Sequence, residues 1–139
     1  MAGSAVTNIE GFYHTVDWQS GRPAMNYFKS GQLKMDQPPS QIPEIYNRNS
    51  PIKHIANMTT PLLSFVGKED YHVDWHQSVE FYMALRRLGK KNILLMYPDE
   101  GHTIINRVNQ MDLNRRICEW FGYYLKDERP AEWIEKGVL

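Results

Sequence analysis

Two apolar runs in the second half of the chain predict buried parallel strands. The first spans Leu62–Val66, after Pro61 and before Gly67, and the second is the segment NILLMY at residues 92–97. Neither run alternates apolar with polar positions, which is typical of strands covered on both faces. A shorter apolar segment, AGSAVTN at residues 2–8, predicts a third buried strand of about five residues.

Apolar positions at helical spacing predict two amphipathic helices, at about residues 75–88 and 107–126. Gly89 directly follows the first helix and fits a helix C-terminus. The tail after residue 127 predicts one more helical turn, anchored by Trp133. The side chains expected to face the sheet are Phe81, Ala84, Leu85 and Leu88 in the first helix and Leu113, Ile117, Trp120, Phe121, Tyr123 and Tyr124 in the second.

Residues 8–50 form a less regular excursion that is rich in Gly, Pro, Asn, Gln and aromatic residues. Two short helices are expected in it, at residues 20–32 and 42–51, the second with Pro43 in its first turn. The aromatic residues Trp18, Tyr27 and Phe28 fit either core packing or the wall of a substrate pocket.

The order of strand, excursion, strand, helix, strand and helix predicts an α/β fold with about three parallel strands and flanking helices. Loops after the carboxyl ends of such strands meet at one edge of the sheet, where ligands and catalytic groups collect. Asp70 follows the first long apolar run, and His102, in the segment DEGH, follows the second. We therefore expect Asp70 and His102 to lie at that edge.

Charge and composition narrow the classes of partner. The 139 residues fit one domain, and the 16 basic and 16 acidic residues give zero net charge, so neither nucleic acid nor an anionic membrane is an expected partner. No apolar stretch approaches the roughly 20 residues that span a bilayer. The N-terminus lacks the pattern of a secretion signal, and a periplasmic or secreted location of a longer parent protein stays open.

Three segments resemble the C-terminal part of the prolyl oligopeptidase family, which comprises serine peptidases of the α/β-hydrolase fold. They are SPIKHIANMTTPLLSFVGKEDYHV, ALRRLGKKNILLMYPDEGH and RRICEWFGYYLK, and the likeness extends to bacterial acylaminoacyl- and dipeptidyl-peptidase-like members. The resemblance implies that residues 1–139 are a C-terminal fragment of a catalytic domain, an incomplete three-layer sandwich. It further implies a peptide substrate and neither a metal nor an organic cofactor.

The same resemblance assigns two members of a Ser-His-Asp triad. The acid is Asp70, in GKEDYHV, and the base is His102, in DEGH; the chain order of acid before histidine agrees with that of α/β-hydrolases. Asp74 and Glu69 are the alternative acids, and Asp74 also fits a helix N-cap. The chain departs from residues common in the family at Val66 and Asp74.

The third triad member does not follow from the sequence. The family's nucleophile lies in a Gly-x-Ser-x-Gly elbow, and no serine of this chain has glycine two positions before and two positions after it. We therefore expect that the chain starts after the elbow, holds about the last third of a hydrolase domain and is inactive alone. Its first strand would then be an open edge, and we expect self-association through residues 2–7.

Other interpretations concern sites outside this pair. His72 and His76 are four residues apart, but His72 precedes the helix, so the spacing does not favour a metal site. Cys118, the single cysteine, fits a small core residue rather than a nucleophile. Two alternative functions stay open: a non-enzymatic interaction module, and a small esterase that uses an atypical serine such as Ser4.

Overall fold

The computed structural model describes residues 1–29, 31 and 33–137 of the chain. Its strands are β1 (Ala2–Gly3), β2 (Val16–Asp17), β3 (Arg22–Pro23), β4 (Leu62–Gly67) and β5 (Asn92–Tyr97). Its helices are α1 (Ile9–Tyr13), α2 (Asn26–Lys29), α3 (Pro43–Asn49), α4 (His76–Arg87), α5 (Arg107–Lys126) and α6 (Glu132–Lys136), with a 3-10 helix at Pro51–Asn57. In the described residues, no helix is both long enough and apolar enough to cross a membrane.

The central sheet is parallel and has the order β1-β4-β5. The pairing of β4 with β5 runs from Leu62 opposite Asn92 to Gly67 opposite Tyr97, which confirms both long strands predicted from the sequence. The strand β1 contains two residues rather than about five. It ends because Ser4 adopts a left-handed backbone with a φ of 43°, which turns the chain out of the sheet.

The main core lies between one face of the sheet and the helices α5 and α6. The buried residues of this core are Leu63, Leu95, Tyr97, Ile104, Leu113, Trp120 and Trp133. The helix α5 has the predicted bounds, and the Asn106 side chain caps its first turn by accepting the N–H of Val108. Phe121 is 36% exposed, so its predicted place in the packing face is wrong, whereas Trp120 and Trp133 are buried as predicted.

The helix α4 packs against β4 and β5. Its Phe81 and Leu85 side chains are buried outside the main core, so they cover the other face of the sheet. Leu88 is 50% exposed and does not pack there as predicted, because the helix ends at Arg87 and Leu88 is its C-cap. Gly89 then takes a φ of 65°, which suits the predicted stop.

The excursion between β1 and β4 builds a second core of its own. The buried residues there are Ile9, Phe12, Ala24, Phe28 and Tyr46. Phe28 is thus a core residue, whereas Trp18 is exposed on the surface. The predicted helix with Pro43 in its first turn is confirmed as α3.

The helix predicted over residues 20–32 is largely wrong. Arg22–Pro23 instead pairs with Val16–Asp17 in an antiparallel hairpin, and only Asn26–Lys29 is helical. Proline and the preceding arginine favour an extended backbone, which is compatible with the hairpin and not with a helix interior. Ser30 and Gln32 of that prediction, like Val138 and Leu139 of the predicted tail helix, lie outside the described residues.

The two ends of the excursion are held together beside α4. Gln77, buried in the first turn of α4, accepts the backbone N–H groups of Thr7 and Asn8 at its Oε1, at 3.0 and 2.8 Å. Ile52 donates its N–H to the carbonyl oxygen of Thr7 at 3.0 Å. These bonds fix the excursion against the helix that follows the loop of Asp70.

Candidate active site

Two loops meet at the carboxyl edge of the sheet, one after β4 and one after β5. Lys68 donates its N–H to the Tyr97 carbonyl at 2.9 Å, and Glu69 donates to the Glu100 carbonyl at 2.8 Å. A Cβ atom on Gly67 would collide with the carbonyl oxygens of Glu100 and Gly101. Glycine at residue 67 therefore allows the two loops to approach each other at backbone distance.

Asp70 lies at the bottom of this junction, where its side chain is fully buried. Its Oδ1 accepts the backbone N–H groups of His72 and Val73, at 3.0 and 2.9 Å. Its Oδ2 lies 2.9 Å from Nδ1 of His102. All three contacts place donors on the carboxylate, which fixes its orientation.

His102 projects from the loop after β5 with 43% of its side chain exposed. Because Asp70 is an acceptor, Nδ1 of the neutral ring carries the proton and donates it, and Nε2 then carries the lone pair. Within the described part of the chain, Nε2 makes no hydrogen bond. A histidine oriented in this way can act as a general base through Nε2.

Glu100 is a buried carboxylate that the sequence analysis missed, and it shapes the loop that carries His102. Its side chain accepts the N–H of Ile105 at 2.8 Å, that of Asn106 at 3.1 Å and Nδ2 of Asn109 at 2.7 Å. The bond from Asn109, followed by that from Ile105, lowers the pKa of Glu100, although burial acts in the opposite direction. The available signal was an acidic residue shortly before Asn106, the N-cap of a long helix, whose free N–H groups need acceptors.

A second histidine–aspartate pair lies beside the first and was also missed. Nδ1 of His72 lies 3.1 Å from Oδ2 of Asp17, and the His72 ring meets the His102 ring edge-on with centroids 5.4 Å apart. Oδ2 of Asp17 also accepts the Tyr27 hydroxyl at 2.7 Å. Burial alone would raise the pKa of Asp17, but hydrogen bonds led by that of Tyr27 outweigh it, so the pKa lies well below its ordinary value. His72 and its anionic partner thus form one wall of the site.

Ser4 is the serine that contacts the His102 loop. Its hydroxyl donates to the backbone carbonyl of His102 at 3.2 Å and not to the imidazole. The side chains of Ser4, His102 and Phe65 line an open cavity of about 580 Å³ beside β1. The geometry therefore does not make Ser4 a nucleophile activated by His102, because activation requires a bond to the imidazole nitrogen.

The remaining residues considered from the sequence lie away from the pair. Asp74 accepts the N–H of His76 just before α4, but the N-cap residue is Trp75 rather than Asp74, and Glu69 is exposed. Cys118 is exposed on α5, so its expected core position is wrong. Over the described ranges, no group of three or more His, Cys, Asp and Glu side chains has the arrangement of a metal site.

The sequence pattern of the prolyl oligopeptidase family matches residues 2–128. The chain belongs to the prolyl oligopeptidase family. Its similarity to the C-terminal part of that family, inferred from three segments, is thereby confirmed.

Curated members of the prolyl oligopeptidase family share the same region. The acylamino-acid-releasing enzyme of Rattus norvegicus is 40% identical over 76 residues, which are 55% of this chain and 10% of that enzyme. Dipeptidyl-peptidase 4 of Giardia intestinalis is 24% identical over 82 residues, which are 59% of this chain and 11% of that enzyme. The matched region is thus about a tenth of the length of these relatives.

Solved structures of peptidases share the fold of this prolyl oligopeptidase family member. The Pyrococcus horikoshii acylaminoacyl peptidase superposes with a TM-score of 0.72 at 22% identity, over 99% of this chain and 22% of that one. A puromycin hydrolase superposes with a TM-score of 0.69 at 20% identity, over 87% of this chain and 17% of that one. The predicted class, a C-terminal portion of an α/β-hydrolase fold with three parallel strands and flanking helices, is confirmed.

Replacing Gly67 with alanine is expected to separate the two loops of the site. The added Cβ would meet backbone carbonyls, which cannot rotate away, so the contact between Asp70 and His102 must lengthen. We expect a lower melting temperature and the loss of the downfield Nδ1 proton signal of His102 in the NMR spectrum. Gly101→Ala is the matched control, because its Cβ would lie at an ordinary 3.6 Å from the Glu69 carbonyl. Equal spectra for both variants would contradict this account of Gly67.

Proposed function

We propose that Asp70 and His102 are the acid and base of a Ser-His-Asp triad that hydrolyses peptide bonds. The observation that carries the proposal is the 2.9 Å contact between the buried Asp70 carboxylate and Nδ1 of His102, whose side chain is 43% exposed. Membership of the prolyl oligopeptidase family supports a serine peptidase chemistry for the complete site.

In the proposed reaction, Nε2 of His102 takes the proton of a serine hydroxyl as the serine oxygen attacks the substrate carbonyl. The imidazolium that forms is stabilised by the Asp70 carboxylate, which stays ionised and keeps the ring in its orientation. His102 then gives the proton to the leaving amine, and water repeats the cycle on the acyl-enzyme. The reaction needs neither a metal nor an organic cofactor.

The proposal further states that the nucleophile comes from outside these 139 residues. No serine of the chain has the glycine pattern of the elbow, and the Ser4 hydroxyl bonds the backbone of His102 rather than its ring. The oxyanion hole uses the N–H that follows the nucleophile and would be supplied with it. The isolated chain is accordingly proposed to be inactive, and the contact of Ser4 argues against the small esterase.

The substrate class is proposed from the relatives. Their names include acylamino-acid-releasing and dipeptidyl-peptidase activities, so peptides with acylated or free N-termini are the substrates to test first. The half-exposed His72, next to His102, would face such a peptide.

The expected self-association through residues 2–7 stays a prediction. The strand β1 comprises two residues, and Ser4 directs its N–H to the Phe65 carbonyl in β4. Because backbone groups alternate along a strand, only Gly3 of β1 directs its N–H and C=O away from the sheet. The outer edge of β1 thus offers few backbone hydrogen-bonding groups to a second chain.

A chimera tests the proposed function. Residues 2–128 would replace the matching segment of the Pyrococcus horikoshii acylaminoacyl peptidase, which then supplies the serine, and hydrolysis of an N-acetylated amino-acid anilide would be measured. We expect measurable hydrolysis, because the fold is shared and the acid and base would be supplied by this chain. A chimera that is folded by circular dichroism and melts cooperatively, yet hydrolyses nothing, would contradict the proposal.

A further inference from the structure

The outer edge of β5 is the longest free strand edge in the described part of the chain. β5 lies at one end of the sheet and pairs with β4 only. The carbonyls of Lys91 and Tyr97 accept the N–H groups of Leu62 in β4 and of Lys68 directly after β4, at 3.0 and 2.9 Å. Since backbone groups alternate along a strand, residues 92, 94 and 96 direct their N–H and C=O groups outward.

This edge is accessible. A groove of about 750 Å³ runs along it, with α4 on one side and α5 and α6 on the other. Its walls include Tyr82 of α4, Tyr123 of α5 and Ile134 of α6, and its floor includes residues 92–94. Exposed edges of this kind pair readily with another strand. At the carboxyl end of β5, Pro98 has no N–H to donate. Met96 is therefore the last residue of this edge that can both donate and accept an outward hydrogen bond.

The charges at the two ends of β5 are opposite. Lys91 precedes the strand and Asp99 follows it, and both are exposed. They lie more than about 20 Å apart along an extended strand, so they cannot pair within one chain. In an antiparallel arrangement, each Lys91 approaches the Asp99 of a second copy, which makes the edge complementary to itself.

We propose that the chain forms a symmetric dimer through β5, with the two β5 strands antiparallel and Leu94 opposite Leu94 of the second copy. In this register residue 92 lies opposite residue 96, and all three outward residues form hydrogen-bonded pairs, about six bonds in total. The two three-stranded sheets become one continuous sheet. A two-fold axis relates identical surfaces, as in most homodimers. The proposal is independent of the catalytic role of Asp70 and His102.

A proline variant tests the hydrogen bonds of this edge. Leu94→Pro removes one outward N–H in each copy and leaves the bonds to β4 intact, because residue 94 makes none of them. Sedimentation velocity over a concentration series should show a dimer for the unmodified chain and a dissociation constant raised at least about tenfold for Leu94→Pro. Leu94→Ala is the matched control, since it also shortens the side chain but keeps the N–H. Circular dichroism verifies that all variants are folded.

A charge-reversal pair tests the register, with no change in the strand itself. Lys91→Glu should raise the dissociation constant about fivefold, because Lys91 lies opposite residue 97 of the other copy, diagonally next to Asp99. The combination of Lys91→Glu and Asp99→Lys should restore the original dissociation constant. Asp99 has a left-handed backbone with a φ of 58°, and lysine tolerates this conformation, as Lys34 shows with a φ of 46°. A monomer at all concentrations would overturn the proposal. So would a dimer insensitive to both Leu94→Pro and Lys91→Glu, which would indicate the β1 edge or another surface.

Discussion

In the chimera that carries residues 2–128, replacing His102 with alanine is expected to lower peptide hydrolysis by about 10⁴-fold or more. The reason lies in the role of the imidazole. In the proposed mechanism it accepts the serine proton at Nε2 while Asp70 holds Nδ1 at 2.9 Å, and alanine can do neither. What activity remains would come from substrate binding and the oxyanion hole alone. Steady-state kinetics of anilide hydrolysis measures the loss.

The choice of acid is tested in the same chimera. Asp70→Asn keeps the shape of the side chain but replaces an acceptor with a group that can donate, which favours the wrong tautomer of His102. A loss of a similar order is expected. Asp74→Asn is the matched control, because Asp74 contacts His76 at the start of α4 and not His102. If Asp74→Asn caused the larger loss of activity, the assignment of Asp70 as the acid would be wrong.

Replacing Trp120 with alanine is expected to destabilise the chain by about 3–5 kcal/mol. Trp120 is buried in the main core, where its ring stacks with Trp133 at a centroid distance of 6.3 Å and contacts Tyr124 at 4.6 Å. Alanine would leave a large cavity between α5, α6 and the sheet. Because the free energy of unfolding of a domain is typically only about 5–15 kcal/mol, this substitution would remove a large part of it. Urea unfolding followed by circular dichroism measures it.

The neighbouring aromatic residue provides the control for this experiment. Phe121 is the next residue of the same helix but is 36% exposed, so Phe121→Ala removes less buried surface. We expect Phe121→Ala to lower the free energy of unfolding by about 1 kcal/mol or less. Equal losses of stability for the two variants would show that α5 faces the sheet differently from the structure described above.

The parts of the fold that the sequence predicts well are those with strong, continuous patterns. β4 and β5 are almost entirely apolar, and the twenty residues of α5 carry apolar side chains at helical spacing, with the N-cap Asn106 before them. The details of packing are less predictable. The same periodicity placed Phe121 with Trp120 on the packing face, because a helical pattern does not show how wide the covered face is.

The secondary structure of the excursion at residues 8–50 could not be predicted from such patterns. Its elements contain only two to seven residues, and their stability comes from contacts between distant positions rather than from local propensity. Asp17 illustrates this, because its partner Tyr27 belongs to α2 and its partner His72 to the loop between β4 and α4. Gln77 likewise binds Thr7, which lies 70 residues earlier in the chain.

The candidate site was predictable where it depends on topology. Parallel strands end at a common edge, so Asp70 and His102 were expected together from their positions after β4 and β5, and the structure brings them into contact. Glu100 was not predicted, although it precedes His102 by two residues. Its role depends on how the loop folds back so that the N–H groups of Ile105 and Asn106 reach its carboxylate.

The most direct test of the central claim is the reaction of the isolated chain with a fluorophosphonate probe, read by intact mass. That claim is that Asp70 and His102 form an acid–base pair whose serine comes from elsewhere. The account predicts no adduct on the isolated chain. A stoichiometric adduct that is abolished by His102→Ala would contradict it, because a serine of this chain would then be activated by His102.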